Sequence, residues 1–231
     1  MTTPTTQPSS HVTSHLIKAF AFRAITLVML LVAAGRWDWF WAWLNVGVFA
    51  VFDMLSIVLV DPDLLVERTR RSADQKAWDK PLVGLAVGLL PLISLVIAGL
   101  DERWGWSADV AATVQWIAAL AIIAGYGLTV WAMRVNAYFS AIVRIQTDRG
   151  HQVATGGPYR LVRHPGYVGA ILFTPATPVM LDSWWALIPA VLACVLFVIR
   201  TQKEDDTLHA ELPGYREFAQ RTRFRLIPGV W

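Results

Sequence analysis

Four long stretches of this chain contain no Asp, Glu, Lys or Arg, and they restrict the folds open to it. These stretches are Pro81–Leu100, Val110–Met133, Pro165–Leu181 and Ser183–Ile199. A helix that crosses the hydrocarbon core of a bilayer needs about 20 apolar residues, with roughly 17 as the lower limit. All four stretches meet that limit. We therefore expect an integral membrane protein.

Two further segments are apolar apart from a few polar residues. Leu16–Gly35 carries Lys18 and Arg23 near one end, where long side chains can extend to the lipid headgroups. Trp39–Val60 contains Asp53, and a charge inside a span marks either a functional site or a helix contact. The sequence therefore predicts an all-α, multi-pass transmembrane helical protein of about six spans in three hairpins.

The distribution of basic residues predicts the orientation of these spans. Of the 20 Lys and Arg residues, only Arg36 and Arg103 fall on the far side of a six-span arrangement. Because cytosolic loops are enriched in Lys and Arg, we expect both termini in the cytosol, together with the loops Asp61–Lys80 and Arg134–His164. The net charge of +3 is thereby explained by topology, and no nucleic-acid partner is predicted. The residue usage favours a bacterial inner (plasma) membrane.

The sequence divides into three parts. Residues 1–15 are polar and lack the basic start of a signal peptide, so we expect a disordered N-terminal tail. Residues 16–133 form an N-terminal transmembrane scaffold of four spans, and residues 134–231 form a C-terminal region with a long polar loop, a hairpin of short spans and a C-terminal tail. A single cysteine permits no internal disulfide, and the histidines lack the spacing of metal ligands, so no metal site is predicted.

The chemically versatile residues are concentrated in three short polar clusters of the C-terminal region: His151–Arg160, Arg163–Tyr167 and Arg200–Leu208. Each cluster alone is typical of a turn, an interface anchor or a solvated helix face. The second and third clusters, however, flank one apolar hairpin. Because a hairpin goes out and returns, its two ends meet again at the cytosolic interface. We therefore expect Arg163, His164 and Tyr167 to lie near Glu204 and Asp205, at the mouth of a cavity in the membrane.

The order of these clusters resembles the isoprenylcysteine carboxyl methyltransferase family, whose superfamily also includes membrane phospholipid N-methyltransferases. The likeness consists of an Arg-His-Pro-x-Tyr step at Arg163–Tyr167, a hydrophobic hairpin, the paired acids Glu204 and Asp205, and Leu208. It covers about Asn136–Pro228. The second acid is Asp205 where the family has Glu, which keeps the charge but shortens the side chain by one methylene.

The resemblance implies S-adenosyl-L-methionine as cofactor, in a pocket formed by the cytosolic loop and the helical tail. It implies a lipophilic small molecule or lipidated substrate that enters from the bilayer, with membrane lipids as the surroundings. The implied cofactor-binding residues are His151, Val153, Gly157, Pro158, Tyr159, His164, Tyr167, Glu204 and Asp205. The expected catalytic residues are Arg163, His164 and Glu204, with Arg163 orienting the acceptor and Glu204 fixing the cofactor.

Several functions fit the sequence. Carboxyl O-methylation of an isoprenoid or lipidic acid needs no general base, because a carboxylate is already ionised near neutral pH. Phospholipid or amine N-methylation is the alternative, and it would require His164 or Glu204 as base. A sterol-reductase-like, nicotinamide-dependent membrane reductase and a non-enzymatic membrane protein remain open on the sequence alone.

Overall fold

The computed structural model describes residues 8–69 and 74–231, and every regular element within them is helical. The α-helices are α1 (Pro8–Ala34), α2 (Phe40–Leu59), α3 (Pro62–Thr69), α4 (Asp79–Val83), α5 (Leu90–Trp104), α6 (Ala112–Val135), α7 (Pro165–Met180), α8 (Leu187–Glu211) and α9 (Tyr215–Arg221). A π-helical segment, Gly84–Leu89, joins α4 to α5, and 3₁₀ turns occur at Thr147–Arg149 and Gly157–Arg160. The all-α prediction is confirmed.

Among the described residues, four helices are long and apolar enough to cross a membrane, judged by length and composition: Leu16–Ala34, Phe40–Leu59, Asp79–Trp104 and Ala112–Val135. They coincide with the four spans predicted for the N-terminal scaffold. Helix α7 has only 16 residues, and α8 passes from an apolar first half into a charged second half. Their crossing of the bilayer therefore stays a prediction.

The start of α1 differs from the expected tail. The helix begins at Pro8, so the second half of the segment 1–15 is helical, while residues 1–7 lie outside the described part of the chain.

The three hairpin turns meet at one end of the molecule. Arg36, after α1, forms an ion pair of 3.0 Å with Glu102 near the end of α5. Ser183, between α7 and α8, donates its hydroxyl to Asp101 Oδ2 at 2.5 Å. Although α7 is short, it therefore reaches the same end of the molecule as α5.

Helices α6 and α7 touch through their backbones. A Cβ placed on Gly169 would lie 2.3 Å from the Gly125 carbonyl oxygen, and one on Gly125 would lie 2.6 Å from the Gly169 carbonyl oxygen. Small residues permit such close helix contacts in membranes. This crossing fixes the start of α7, which carries His164 at its N-cap, next to the end of α6.

Asp53 is paired inside the helix bundle. Its Oδ2 accepts a hydrogen bond from Arg23 Nε at 2.7 Å, and its Oδ1 accepts one from the Tyr126 hydroxyl at 3.0 Å. Arg23 was expected at the lipid headgroups. It instead neutralises Asp53, so this half-buried ion pair joins α1, α2 and, through Tyr126, α6.

Candidate active site

Asp205 on α8 is the centre of a buried polar cluster. Its carboxylate accepts hydrogen bonds from Arg163 Nε at 2.8 Å and Arg163 Nη2 at 2.9 Å. The Tyr215 hydroxyl donates to it at 2.7 Å and Arg225 Nε at 2.8 Å, while His164 Nε2 lies 2.9 Å from Oδ1. The acidic helix thus returns to the arginine–histidine step, and the fold-back predicted from the hairpin is confirmed.

The environment of Asp205 keeps it ionised. Burial alone would raise the pKa of this carboxyl, but hydrogen bonds from His164 and Arg163 and the hydroxyl of Tyr215 outweigh burial and hold the pKa far below its usual range. Burial and the charge of Asp205 both raise the pKa of Tyr215, whose hydroxyl therefore stays protonated as a donor. A carboxylate offers about four acceptor positions, and these partners occupy them. Asp205 therefore anchors the surrounding segments, and its contact with the cofactor stays a prediction.

Arg163 is also committed to contacts within the chain. Besides its two bonds to Asp205, its Nη1 donates to the carbonyl oxygens of Thr222 at 3.1 Å and Arg223 at 2.7 Å. Its backbone N–H donates to the Phe224 carbonyl at 2.9 Å. This differs from the expectation that Arg163 orients the acceptor, because Nε, Nη1 and Nη2 all have partners in the chain. Its contacts fasten the C-terminal segment to α7.

Glu204 has a different environment from its neighbour. Its Oε2 accepts a hydrogen bond from the Tyr167 hydroxyl at 2.5 Å. Within the described part of the chain it forms no salt bridge, and it lines a cavity that Asp205 does not reach. Successive residues of an α-helix point about 100° apart. Glu204 is therefore the acid of the pair that is directed at the cavity.

The cavity has a volume of about 540 Å³ and runs from this cluster into the helix bundle. Seven residues predicted from the sequence line it: His151, Val153, Tyr159, Arg163, His164, Tyr167 and Glu204. Its deeper wall is apolar and includes Phe49, Leu95 and Phe173. Gly157 and Pro158 do not line it. The cavity thus joins a polar end to a compartment suited to an apolar chain.

Gly157 shapes the loop that carries Tyr159. It has a φ of +51°, and a Cβ there would lie 2.9 Å from Val135 Cγ2 and 3.0 Å from Trp131 Nε1. Only glycine fits this conformation and this close approach. The neighbouring Tyr159 hydroxyl accepts a hydrogen bond from Asn136 Nδ2 at 3.1 Å. The glycine therefore positions Tyr159 against α6 without contacting the cavity itself.

His151 presents a neutral ring to the cavity. Its ring centroid lies 4.7 Å from that of Tyr138, and its Nδ1 accepts a hydrogen bond from the Gln146 backbone N–H at 3.3 Å. Burial lowers the pKa of His151 to about 4, and the charges of Arg144 and Arg149 lower it further in the same direction. With Nδ1 accepting, the ring proton resides on Nε2. His151 is therefore a hydrogen-bond donor.

A second buried ion pair braces the site and was not singled out from the sequence. Arg200 Nε lies 2.6 Å from Asp79 Oδ1, and Asp79 Oδ2 accepts a hydrogen bond from the Val143 backbone N–H at 2.8 Å. Arg200 also donates to the Ala141 carbonyl at 2.8 Å, and its guanidinium lies 5.5 Å from the Tyr167 ring centroid. Arg200 begins the third polar cluster of the sequence, but nothing in the sequence connected it with Asp79.

Fold and site together define a helical membrane protein with a polar pocket at one end of a largely apolar cavity. Residues 116–210 match the family described as the isoprenylcysteine carboxyl methyltransferase (ICMT) family. This part of the chain is therefore similar to that family, in agreement with the resemblance of its motifs.

Part of the chain is also similar to curated plant proteins. The chain is 31% identical over 85 residues to a "Probable protein-S-isoprenylcysteine O-methyltransferase" in each of Oryza sativa subsp. indica and subsp. japonica, which is 36% of this chain and 44% of each rice protein. It is 27% identical over 144 residues to "Protein-S-isoprenylcysteine O-methyltransferase B" of Arabidopsis thaliana, covering 60% of this chain and 69% of that protein. The chain thus spans less than half the length of the rice relatives.

Proposed function

We propose that this protein is an integral membrane methyltransferase that uses S-adenosyl-L-methionine to methylate the carboxylate of a lipophilic acceptor. The observation that carries this proposal is the cavity, which connects the Glu204 carboxylate to an apolar compartment among the helices. The family of residues 116–210 supports the same reaction. Since the relatives are named protein-S-isoprenylcysteine O-methyltransferases, the acceptor we propose is an isoprenylcysteine-type acid, free or on a lipidated protein.

The residues at the polar end fit the cofactor. S-adenosyl-L-methionine combines an adenine, two positive charges and a carboxylate. Glu204 offers a negative charge to the cavity, and His151 offers an N–H donor. The proposed cradle consists of His151, Val153, Tyr159, His164, Tyr167 and Glu204. Gly157 and Pro158 would shape its loop, while Asp205 and Arg163 would hold the surrounding segments together.

The chain contributes to the reaction mainly by positioning the two reactants and by excluding water from the cavity. When bound, the cofactor supplies an electrophilic methyl group, which an acceptor carboxylate oxygen takes up as the sulfur–carbon bond breaks and its electron pair stays on sulfur. Tyr167 holds Glu204 in place through their hydrogen bond. Orienting two reactants in this way can lower a barrier by about 7–11 kcal/mol. An acceptor carboxylate is ionised at neutral pH, so no residue is needed as general base.

We also propose that both termini and the polar pocket face the cytosol, and that α7 and α8 add two crossings to the four long spans. Arg36 and Arg103 support this orientation, because both lie at the end of the molecule where the hairpin turns meet. Most other basic residues lie toward the opposite end, as the positive-inside rule requires. The composition favours a bacterial plasma membrane.

Two assays on the detergent-purified protein test the proposal. S-adenosylhomocysteine, and not a reduced nicotinamide cofactor, should raise the melting temperature, because a ligand of the folded state stabilises it by mass action. Labelled methyl groups should then pass to N-acetyl-S-farnesylcysteine as a base-labile ester. Label on the amine of phosphatidylethanolamine vesicles would favour the N-methyltransferase alternative, and stabilisation by the nicotinamide cofactor alone would favour a reductase.

A further inference from the structure

Arg68 on α3 is a cation in the wall of the cavity. Five arginines line the cavity, and four of them are paired with a carboxylate: Arg23 with Asp53, Arg144 with Glu67, Arg163 with Asp205, and Arg200 with Asp79. Across the part of the chain that the structure describes, Arg68 has no carboxylate partner, and its buried Nη1 has no hydrogen-bond partner. We propose that Arg68 binds the carboxylate of the acceptor, in the methyl transfer proposed above on which this inference rests.

The packing of Arg68 places it beside the polar end of the cavity. Its guanidinium carbon lies 5.1 Å from the centroid of the Phe139 ring. That ring in turn presses on the first turn of α7, since a Cβ on Gly166 would lie 2.5 Å from Phe139 Cζ. Leu64 and Leu65 of α3 are buried and hold the helix in this position. One aromatic ring therefore separates Arg68 from the segment that begins at His164.

The charge balance around Arg68 calls for an anion. Removing a guanidinium from water without a counter-ion costs several kcal/mol in general, and an anionic ligand offsets that cost. Burial is the largest influence on the pKa of Arg68 and lowers it, and the nearby charge of Arg200 acts in the same direction. An arginine nevertheless stays protonated in proteins. Arg68 is therefore a permanent positive charge in the cavity wall, and among the described residues no carboxylate forms a salt bridge with it.

A carboxylate bound at Arg68 suits the proposed methyl transfer. A guanidinium donates to carboxylate oxygens in a fixed fork, which orients the group while leaving lone pairs free for attack. The apolar part of the acceptor would lie along the deeper wall, at Phe49, Leu95 and Phe173. Arg163 is less suited to this task, because its nitrogens are bound to Asp205 and to backbone carbonyls. Arg68 is thus the residue that selects an acid over a neutral lipid.

Binding of an acid and its amide isolates the effect of this charge. Wild-type protein should bind N-acetyl-S-farnesylcysteine about ten- to a hundred-fold more tightly than the corresponding carboxamide, the range expected for a hydrogen bond to a charged group. Arg68→Gln should bring this ratio close to one. Arg68→Lys keeps the positive charge but lacks the paired N–H donors of a guanidinium. It should therefore give an intermediate ratio of the two affinities. An unchanged melting shift with S-adenosylhomocysteine verifies that each variant keeps its cofactor pocket.

Arg103 provides the matched control. It also lies over an aromatic ring, 5.6 Å from the Trp104 centroid, but at the opposite end of the molecule. Arg103→Gln should keep the wild-type ratio. A folded Arg68→Gln protein that still prefers the acid overturns the inference. Wild-type protein that shows the Arg68-dependent preference but transfers no methyl group supports the anion site and contradicts the proposed function.

Discussion

The Tyr167 hydroxyl donates to Glu204 Oε2 at 2.5 Å, although 37 positions separate the two residues. Asp205 is the next residue along α8, and its acceptor positions are occupied by Arg163, His164 and other donors. The two adjacent acids therefore have different surroundings: Asp205 holds several segments together, and Glu204 lines the cavity. The first two predictions test this division.

Glu204→Gln should abolish the proposed methyl transfer without unfolding the protein. The amide keeps the shape and can still accept from Tyr167, but it removes the negative charge from the cavity. We expect the affinity for S-adenosylhomocysteine to fall at least about ten-fold, as for loss of a charge-assisted hydrogen bond, with little change in melting temperature. Isothermal titration of the purified protein measures the first quantity. Wild-type affinity in this variant would remove Glu204 from the cofactor site.

Asp205→Asn should instead destabilise the fold. Removing one partner of a buried ion pair typically costs about 3–5 kcal/mol, because the remaining charges are left uncompensated. Arg163 and Arg225 would be those charges here. Thermal denaturation in detergent measures the loss. Asp206→Asn is the matched control, because Asp206 is exposed on the next position of α8 and should change the melting temperature little.

Gly125→Ala should separate α6 from α7. The added methyl carbon would lie 2.6 Å from the Gly169 carbonyl oxygen, so the helices must move apart. Overpacking of this kind costs about 1–3 kcal/mol. On the same helix, a Cβ at Gly127 has its nearest neighbour at 3.8 Å, and Gly127→Ala should be neutral or stabilising because alanine favours helix. Equal melting temperatures for the two variants would contradict the close crossing.

Acidification should destabilise the protein through His151. Its pKa is lowered to about 4 in the folded protein, chiefly by burial, against about 6.5 in an unfolded chain. Between these pH values the unfolded chain binds more protons than the folded one, so the free energy of unfolding decreases as the pH is lowered from 6.5 to 4. His151→Gln should show a smaller loss of melting temperature over this window. Identical pH profiles for variant and wild type would refute the assignment.

The sequence predicted those parts of the site that follow from topology. The return of Glu204 to the Arg163–His164 step required only that two apolar stretches form a hairpin, and the charge-free segments made that hairpin evident. The four long spans followed from the same pattern. Both are consequences of segment length and order, which a sequence displays directly.

Other features depend on rotation and packing and could not be predicted. The rotation of α8 decides whether Glu204 or Asp205 faces the cavity. The shorter side chain of Asp205 gives no indication of this orientation in the sequence. Arg225 joins Asp205 only because the C-terminal segment folds back. Arg68 lies in a charged segment of ordinary appearance in the sequence, and only the structure shows that it lines the cavity and packs over the Phe139 ring.

The spread of Asp205's partners along the chain has a consequence for biosynthesis. Arg163 precedes Asp205 by 42 residues and Arg225 follows it by 20. Because a nascent chain emerges from its N-terminus, the scaffold helices can insert into the bilayer well before Arg225 has been translated. The pocket is therefore assembled late, and a ribosome stalled short of Arg225 would leave an inserted protein without a closed cofactor cradle.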